Sequence, residues 1–271
     1  MLAALVITGL GGLVPAFAAQ SKPCSYRDLM PAYQKFSMET AALAPEQRAA
    51  AFVKDFAAQY PDYYAPKVFG SEAKLQASAA RFFDPKRSAQ VFSDFPPLTP
   101  ERIAAMGRVV GPQFAEQQQR FIHTFADFSC ATEVEFAPSL LKFDGHPVEF
   151  DGKSHLLFGV DVIAAVHEPA DMPAFFDHEL FHLYQRQVIA AQAPQGEEDP
   201  AWWTMWVEGL ATYVSQRMNP GLDAQQVLWS PKNMVARMRL EQVRAAKLML
   251  LDIDKTGSDA DRWFLAGKTV E

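Results

Sequence analysis

The first half of the chain carries its apolar residues at helical spacing, and residues 23 to 130 read as a run of helices. Pro45-Glu46 opens one that continues to about Tyr60, with proline in the first turn, where its missing N–H is no loss. A second runs from Glu72 to Phe83. Pro96-Pro97 marks a loop. Thr99-Pro100-Glu101 then starts a long helix through about Phe128, with Thr99 as cap and proline at the first helical position.

The pattern changes after Cys130. Glu133 to Phe136 alternates as a strand does. Val148-Glu149-Phe150, the tight turn Asp151-Gly152 and Ser154 to Val166 read as a β-hairpin. Leu156 to Val166 is almost continuously apolar and is expected to be one covered strand, with Leu156 to Phe158 as an edge open to an extended peptide. Its one charge, Asp161, has two readings: acceptor for the free ring N–H of a metal-bound histidine, or acceptor for backbone N–H groups nearby. A helix of about 172 to 192 follows, then a polar loop from Ala193 to Pro200. The next helix spans about 200 to 217 and is stopped by Asn219-Pro220-Gly221, and a last one covers about 231 to 251. The expected fold class is α+β, mainly helical, with an N-terminal helical region at 20–130 and a small sheet plus helices at 131–271.

At 271 residues and 49% hydrophobic content, the chain can bury a substantial core. Its net charge of −7 argues against nucleic acid and anionic membranes as partners. The first 19 residues carry no charged side chain and end in Ala16-Phe17-Ala18, a small-x-small cleavage pattern. They read as a signal peptide. The apolar stretch is shorter than the ~20 residues of a spanning helix and is interrupted by Gly11, Gly12 and Pro15. The mature chain is therefore expected to be exported, periplasmic or secreted, without stable membrane association. In that oxidising setting Cys24 and Cys130 are either bridged or two buried thiols.

The most informative stretch is His178-Glu179-Leu180-Phe181-His182. Two histidines four apart on a helix face the same way, so both imidazoles can hold one zinc ion, and the Glu between them can reach a zinc-bound water. Phe175, Phe176, Leu183 and Tyr184 flank the motif, as a buried metal helix requires. A catalytic zinc wants a third protein ligand, and Glu208 supplies it: it is the only acid between Ala201 and Gly221 in an apolar helical run. Gly209 and Ala211 are small enough for close helix approach. Trp202, Trp203 and Trp206 read as core packing and secondarily as pocket walls. His123, His146, His155 and His167 read as ordinary histidines.

His178-Glu179-x-x-His182 followed by a helix carrying Glu208-Gly209-x-Ala211 resembles the gluzincin zinc metallopeptidases. Within that group, Phe158 to Ala164 and Phe175 to His182 resemble a small bacterial family of predicted zinc-dependent proteases; the match runs from about Phe150 to Tyr213. The resemblance implies a zincin-like core, one zinc per chain on His178, His182 and Glu208, Glu179 as catalytic base, and a peptide or protein substrate. The chain departs from the group in two ways. It has no G-A-M-E-N-like strand, and it has no His after His182 and no Tyr after Tyr213. The group's usual electrophilic helper is therefore missing, replaced or lost with a shortened C-terminus, and the candidates left are Tyr213, taken first as the catalytic helper, Tyr184, Arg217, Arg237, Arg239 and Arg244. The last residues, Trp263 to Glu271, stop soon after an apolar helix-like start, as a shortened C-terminus would. Two rival readings remain: a zinc hydrolase acting on another bond, and an exported zinc-binding protein without turnover. If the leader reading is right, N-terminal sequencing of exported protein begins at Ala19 or Gln20; an intact Met1 on a cytoplasmic product contradicts it.

Overall fold

The computed structural model describes residues 21–88, 95–194, 199–229, 233–261 and 263. The expected leader, residues 1–19, and part of the 193–200 loop lie outside them. The fold is mainly helical with one small mixed sheet.

The described residues begin with a strand, β1 (Ser25–Asp28), where the sequence pattern suggests only helices. Four residues are too few to show a period. Helix α1 (Met30–Glu39) follows, then α2 (Pro45–Ala51), which continues through π-helical and 3₁₀ turns to Gln59, and a π-helical segment Tyr64–Phe69. Helix α3 (Glu72–Phe83) has the expected bounds, with Ser71 as its cap, and a single turn, α4 (Pro85–Ser88), comes after it. The long α5 (Pro100–Thr124) is capped by the Thr99 hydroxyl, which accepts from Arg102 N–H at 3.3 Å, as the sequence leads one to expect. Strands β2 (Glu133–Ala137), β3 (Gly145–Phe150) and β4 (Lys153–Gly159) complete the sheet. After them come α6 (Val160–Val166), α7 (Met172–Ile189), α8 (Ala201–Met218), a short α9 (Ala224–Val227), α10 (Met234–Asp252) and α11 (Gly257–Asp261).

Strand order is β1-β2-β4-β3, parallel except for the β3–β4 hairpin. The hairpin turns at Asp151-Gly152, both at positive φ (51° and 68°), the twist that a two-residue connection needs. Strand β4 is paired on both sides, so Leu156 to Phe158 is not an edge; the edge beside the later helices is β3. The strand β2 does not alternate in burial either. Glu135 is buried and pairs with the buried Lys67 ammonium at 2.9 Å, and also with Arg27. Cys24 and Cys130 form a disulfide that ties the start of β1 to the approach to β2.

The expected strand Leu156–Val166 stops at Gly159, and Val160–Val166 is helix. A continuous apolar run has no period of its own, so it suits a covered strand and a covered helix equally. Gly159 stands at the break. Its backbone lies so close to the Phe143 carbonyl that a Cβ would overlap it, and its N–H donates to Asp144 O at 2.8 Å. Asp161, in the first turn of α6, then binds the loop that approaches β3. Its carboxylate accepts from Ser139 N–H at 2.5 Å, Leu141 N–H at 2.6 Å and the Ser139 hydroxyl at 3.1 Å. These bonds hold Leu140 and Leu141 in the left-handed region (φ 58° and 64°), which costs about 1–3 kcal/mol each without such support. Burial pushes the Asp161 carboxyl up, and the N–H donors oppose it. Asp161 is thus a backbone acceptor and not the partner of a histidine.

One cluster of buried side chains runs from Cys24 to Ala211. At its centre Phe114 of α5, Phe136 of β2, Phe158 of β4 and Phe176 of α7 meet edge-on or stacked, with centroids 5.1–6.3 Å apart. Removing the Asp161 carboxylate strands the buried Ser139 N–H and the half-buried Leu141 N–H. Asp161→Ala is expected to lose about 2–4 kcal/mol of stability by denaturant titration while leaving metal content unchanged. Loss of metal at unchanged stability would restore the histidine-partner reading.

Candidate functional site

Helix α7 is buried on nearly every side in its first half: Phe175, Phe176, Asp177, His178, Leu180 and Phe181 are all inaccessible or nearly so. Its rotation is fixed by polar contacts as well as by packing. The Asp177 carboxylate accepts from Gln117 of α5 at 2.6 Å and from Asn219, just beyond α8, at 2.7 Å. Burial pushes that carboxyl up to about 6, against the pull of the two amides. Helix α8 lies against α7 through Ala211 and Ser215, both fully buried, and the Ser215 hydroxyl donates to Ala174 O at 2.7 Å. Of the two small residues expected at this contact, Ala211 makes it. Gly209 faces open space.

This packing brings three side chains to one point. His178 Nε2 and His182 Nε2 stand 2.9 Å apart, and Glu208 Oε2 is 3.3 Å from the first and 3.4 Å from the second. Among the described residues they form a three-donor group suited in composition to a metal ion. Burial pushes the Glu208 carboxyl up, but hydrogen bonds and charge from both histidines outweigh it and hold the carboxyl well below its ordinary range. For His182, burial lowers the imidazole, while Glu208 and Glu179 raise it more.

Gln185 joins the two helices behind this cluster. Its Nε2 donates to the Val207 carbonyl of α8 at 3.0 Å, so its Oε1 must be the end facing His182 Nδ1 at 2.9 Å. An acceptor there keeps a proton on Nδ1, so Nε2, the nitrogen that faces Glu208 and His178, is the one a metal ion would take. The side chain is 3% exposed. On the far side, the Trp229 ring packs against His178 with centroids 5.1 Å apart.

Glu179 turns to the other flank. Its carboxylate lies beside the β3 backbone, where a Cβ on Gly145 would touch it at 3.5 Å. Burial raises the carboxyl, with His178 and His182 opposing. His178, Glu179, His182 and Glu208 all line one open cavity of about 630 Å³, bounded by β3, α7 and α8.

The expected metal ligands and base are therefore adjacent. Tyr213 is not with them: it stands five residues after Glu208, about 140° around the helix, is 57% exposed and does not line the cavity. The other candidate helpers are elsewhere too. Tyr184 donates to Asp127, and Arg217, Arg237, Arg239 and Arg244 are exposed away from the cavity. Trp202 and Trp206 lie on the exposed face of α8 and not in the core, while Trp203 lines the cavity. Gln185 and Arg186, both at the site, were not foreseen. Their spacing of three and four residues from His182 was the available signal.

Comparison with protein-family models, with curated proteins and with solved structures finds no match to this chain. The geometry has to carry the functional reading. If Gln185 orients His182, Gln185→Leu is expected to fold normally by circular dichroism yet lose about 10–100-fold in zinc affinity in chelator competition. Unchanged affinity would make Gln185 a packing residue only.

Proposed function

We propose that this chain is a zinc-dependent peptide hydrolase of zincin-like, gluzincin-type architecture, with one zinc per chain on His178, His182 and Glu208. The observation that carries this reading is the convergence of two imidazole nitrogens and one carboxylate oxygen within 3.4 Å, with the Glu179 carboxylate in the same cavity. Donors about 2.0–2.1 Å from a tetrahedral zinc stand roughly 3.3 Å from one another, which suits the separations here. Bound zinc supplies Lewis acidity and brings the pKa of a water toward ~7.

The chain's own residues supply the rest. Glu179 takes the proton of the attacking water and delivers it to the departing amine. Its position against β3 suits a peptide that lies along that strand: β3 is an edge, and an extended substrate can pair with its outward N–H and C=O groups. The substrate is then a peptide or protein segment, and the acidic chain offers nothing to nucleic acid. The Cys24–Cys130 disulfide supports export to the periplasm or beyond.

One observation favours a zinc-binding protein without turnover: Tyr213 and the other expected helpers do not reach the cavity. The Glu179→Gln variant separates the readings. It keeps side-chain size and all three ligands, so it should retain zinc and lose peptide hydrolysis by about 10²–10⁴-fold. Glu208→Gln should weaken zinc binding itself. Equal rates for wild type and Glu179→Gln on a broad peptide library, zero included, would leave the non-catalytic reading in place.

A further inference from the structure

The cavity holds a feature that zinc chemistry does not use. His178, His182 and Arg186 follow at four-residue intervals, so all three lie on one face of α7, and Arg186 stands about 6 Å further along the axis than His182. Arg186 lines the same cavity as the ligands. Apolar residues, among them Leu156, Ile189, Ala190, Trp203 and Val207, also line the cavity. Among the described residues no hydrogen bond or ion pair engages its guanidinium. The acids Glu179 and Glu208 belong to the histidine cluster, and Asp199, which also lines the cavity, makes no ion pair with it.

We propose that Arg186 is the carboxylate-reading residue of this cavity and that the preferred substrates are peptides carrying a carboxylate one or two residues from the bond cleaved. The proposal rests on the peptidase reading for the word substrate, but the binding claim stands apart from it. Arg186 is exposed when the cavity is open. A ligand that fills the cavity against these apolar side chains strips water from the guanidinium. A neutral ligand then leaves its donors without acceptors, whereas a carboxylate accepts from them in a bidentate pair. The discrimination comes from what is stranded as much as from what is gained. The carboxylate has two sources, an Asp or Glu side chain or the C-terminus of a short peptide.

The test uses the full chain carrying Glu179→Gln, so that bound peptide is not turned over. Three probes are titrated by calorimetry: acetyl-Ala-Phe-Ala-Glu-amide, acetyl-Ala-Phe-Ala-Gln with a free C-terminus, and acetyl-Ala-Phe-Ala-Gln-amide. At least one of the first two is expected to bind about 10–100-fold more tightly than the neutral third, and which one does so names the source. Arg186→Met should erase that preference with an unchanged melting temperature. Arg186→Lys should keep part of it, because it retains the charge but not the fork of donors. Equal affinities for all three probes, absence of binding by all three, or a preference that survives Arg186→Met would each overturn the proposal. An Arg186-dependent preference in a chain whose wild type cleaves no peptide would support the subsite and count against the peptidase reading alone.

Discussion

Everything at the site depends on α7 having no freedom to rotate. A turn of one residue, about 100°, would carry His178 and His182 away from Glu208. Two kinds of contact prevent it. Phe175 and Phe176 are locked into the aromatic cluster of α5 and the sheet. Asp177, buried between them and the ligands, satisfies its carboxylate only where Gln117 and Asn219 present their amides. Any rotation leaves a buried carboxyl without donors. His178, a proposed metal ligand, is therefore placed by the requirements of its neighbour.

The second ligand helix is set by the first. Ser215 and Gln185 each reach across the α7–α8 contact to a backbone carbonyl of the other helix, and small side chains at Ala211 and Ser215 let the two come close. Glu208 then projects from α8 with half of its side chain exposed, held toward the histidines by their charge. The sheet closes the third wall. Gly159 ends β4, Asp161 gathers the 139–145 loop, and β3 emerges from that loop as the edge beside Glu179. The same glutamate thus lies in the cavity of the two histidines and beside the edge strand β3.

Elements with local signals were legible in the sequence. Thr99-Pro100 starts α5, Glu72–Phe83 is α3, Asp151-Gly152 makes the hairpin turn, and the two ligand helices lie where their apolar runs predict. His178 and His182 share a face because residues four apart on a helix do, and Glu208 stood out as the lone acid of an apolar helical run. The misses share a cause: they depend on contacts distant in sequence. Gly159, where β4 gives way to the helix Val160–Val166, meets Phe143 sixteen positions earlier, and no period in an apolar run reveals that. The outward Trp202 and Trp206 and the displaced Tyr213 are matters of helical phase relative to Glu208 in a run that is apolar on several faces, so hydrophobicity alone could not orient it. Gln185 looked like one polar residue among many. Its meaning comes from the Val207 carbonyl, 22 positions on.

The central claim, a zinc ion on His178, His182 and Glu208, is tested most directly by X-ray absorption at the zinc edge on protein loaded with one equivalent of zinc and freed of excess. The account predicts retention of about one zinc per chain, with a first shell of two imidazole nitrogens near 2.0–2.1 Å and light oxygen donors completing it. His178→Ala, which removes one of the two imidazoles, should fail to retain the zinc. Failure to retain zinc, or a shell in the wild type without imidazole, would contradict it.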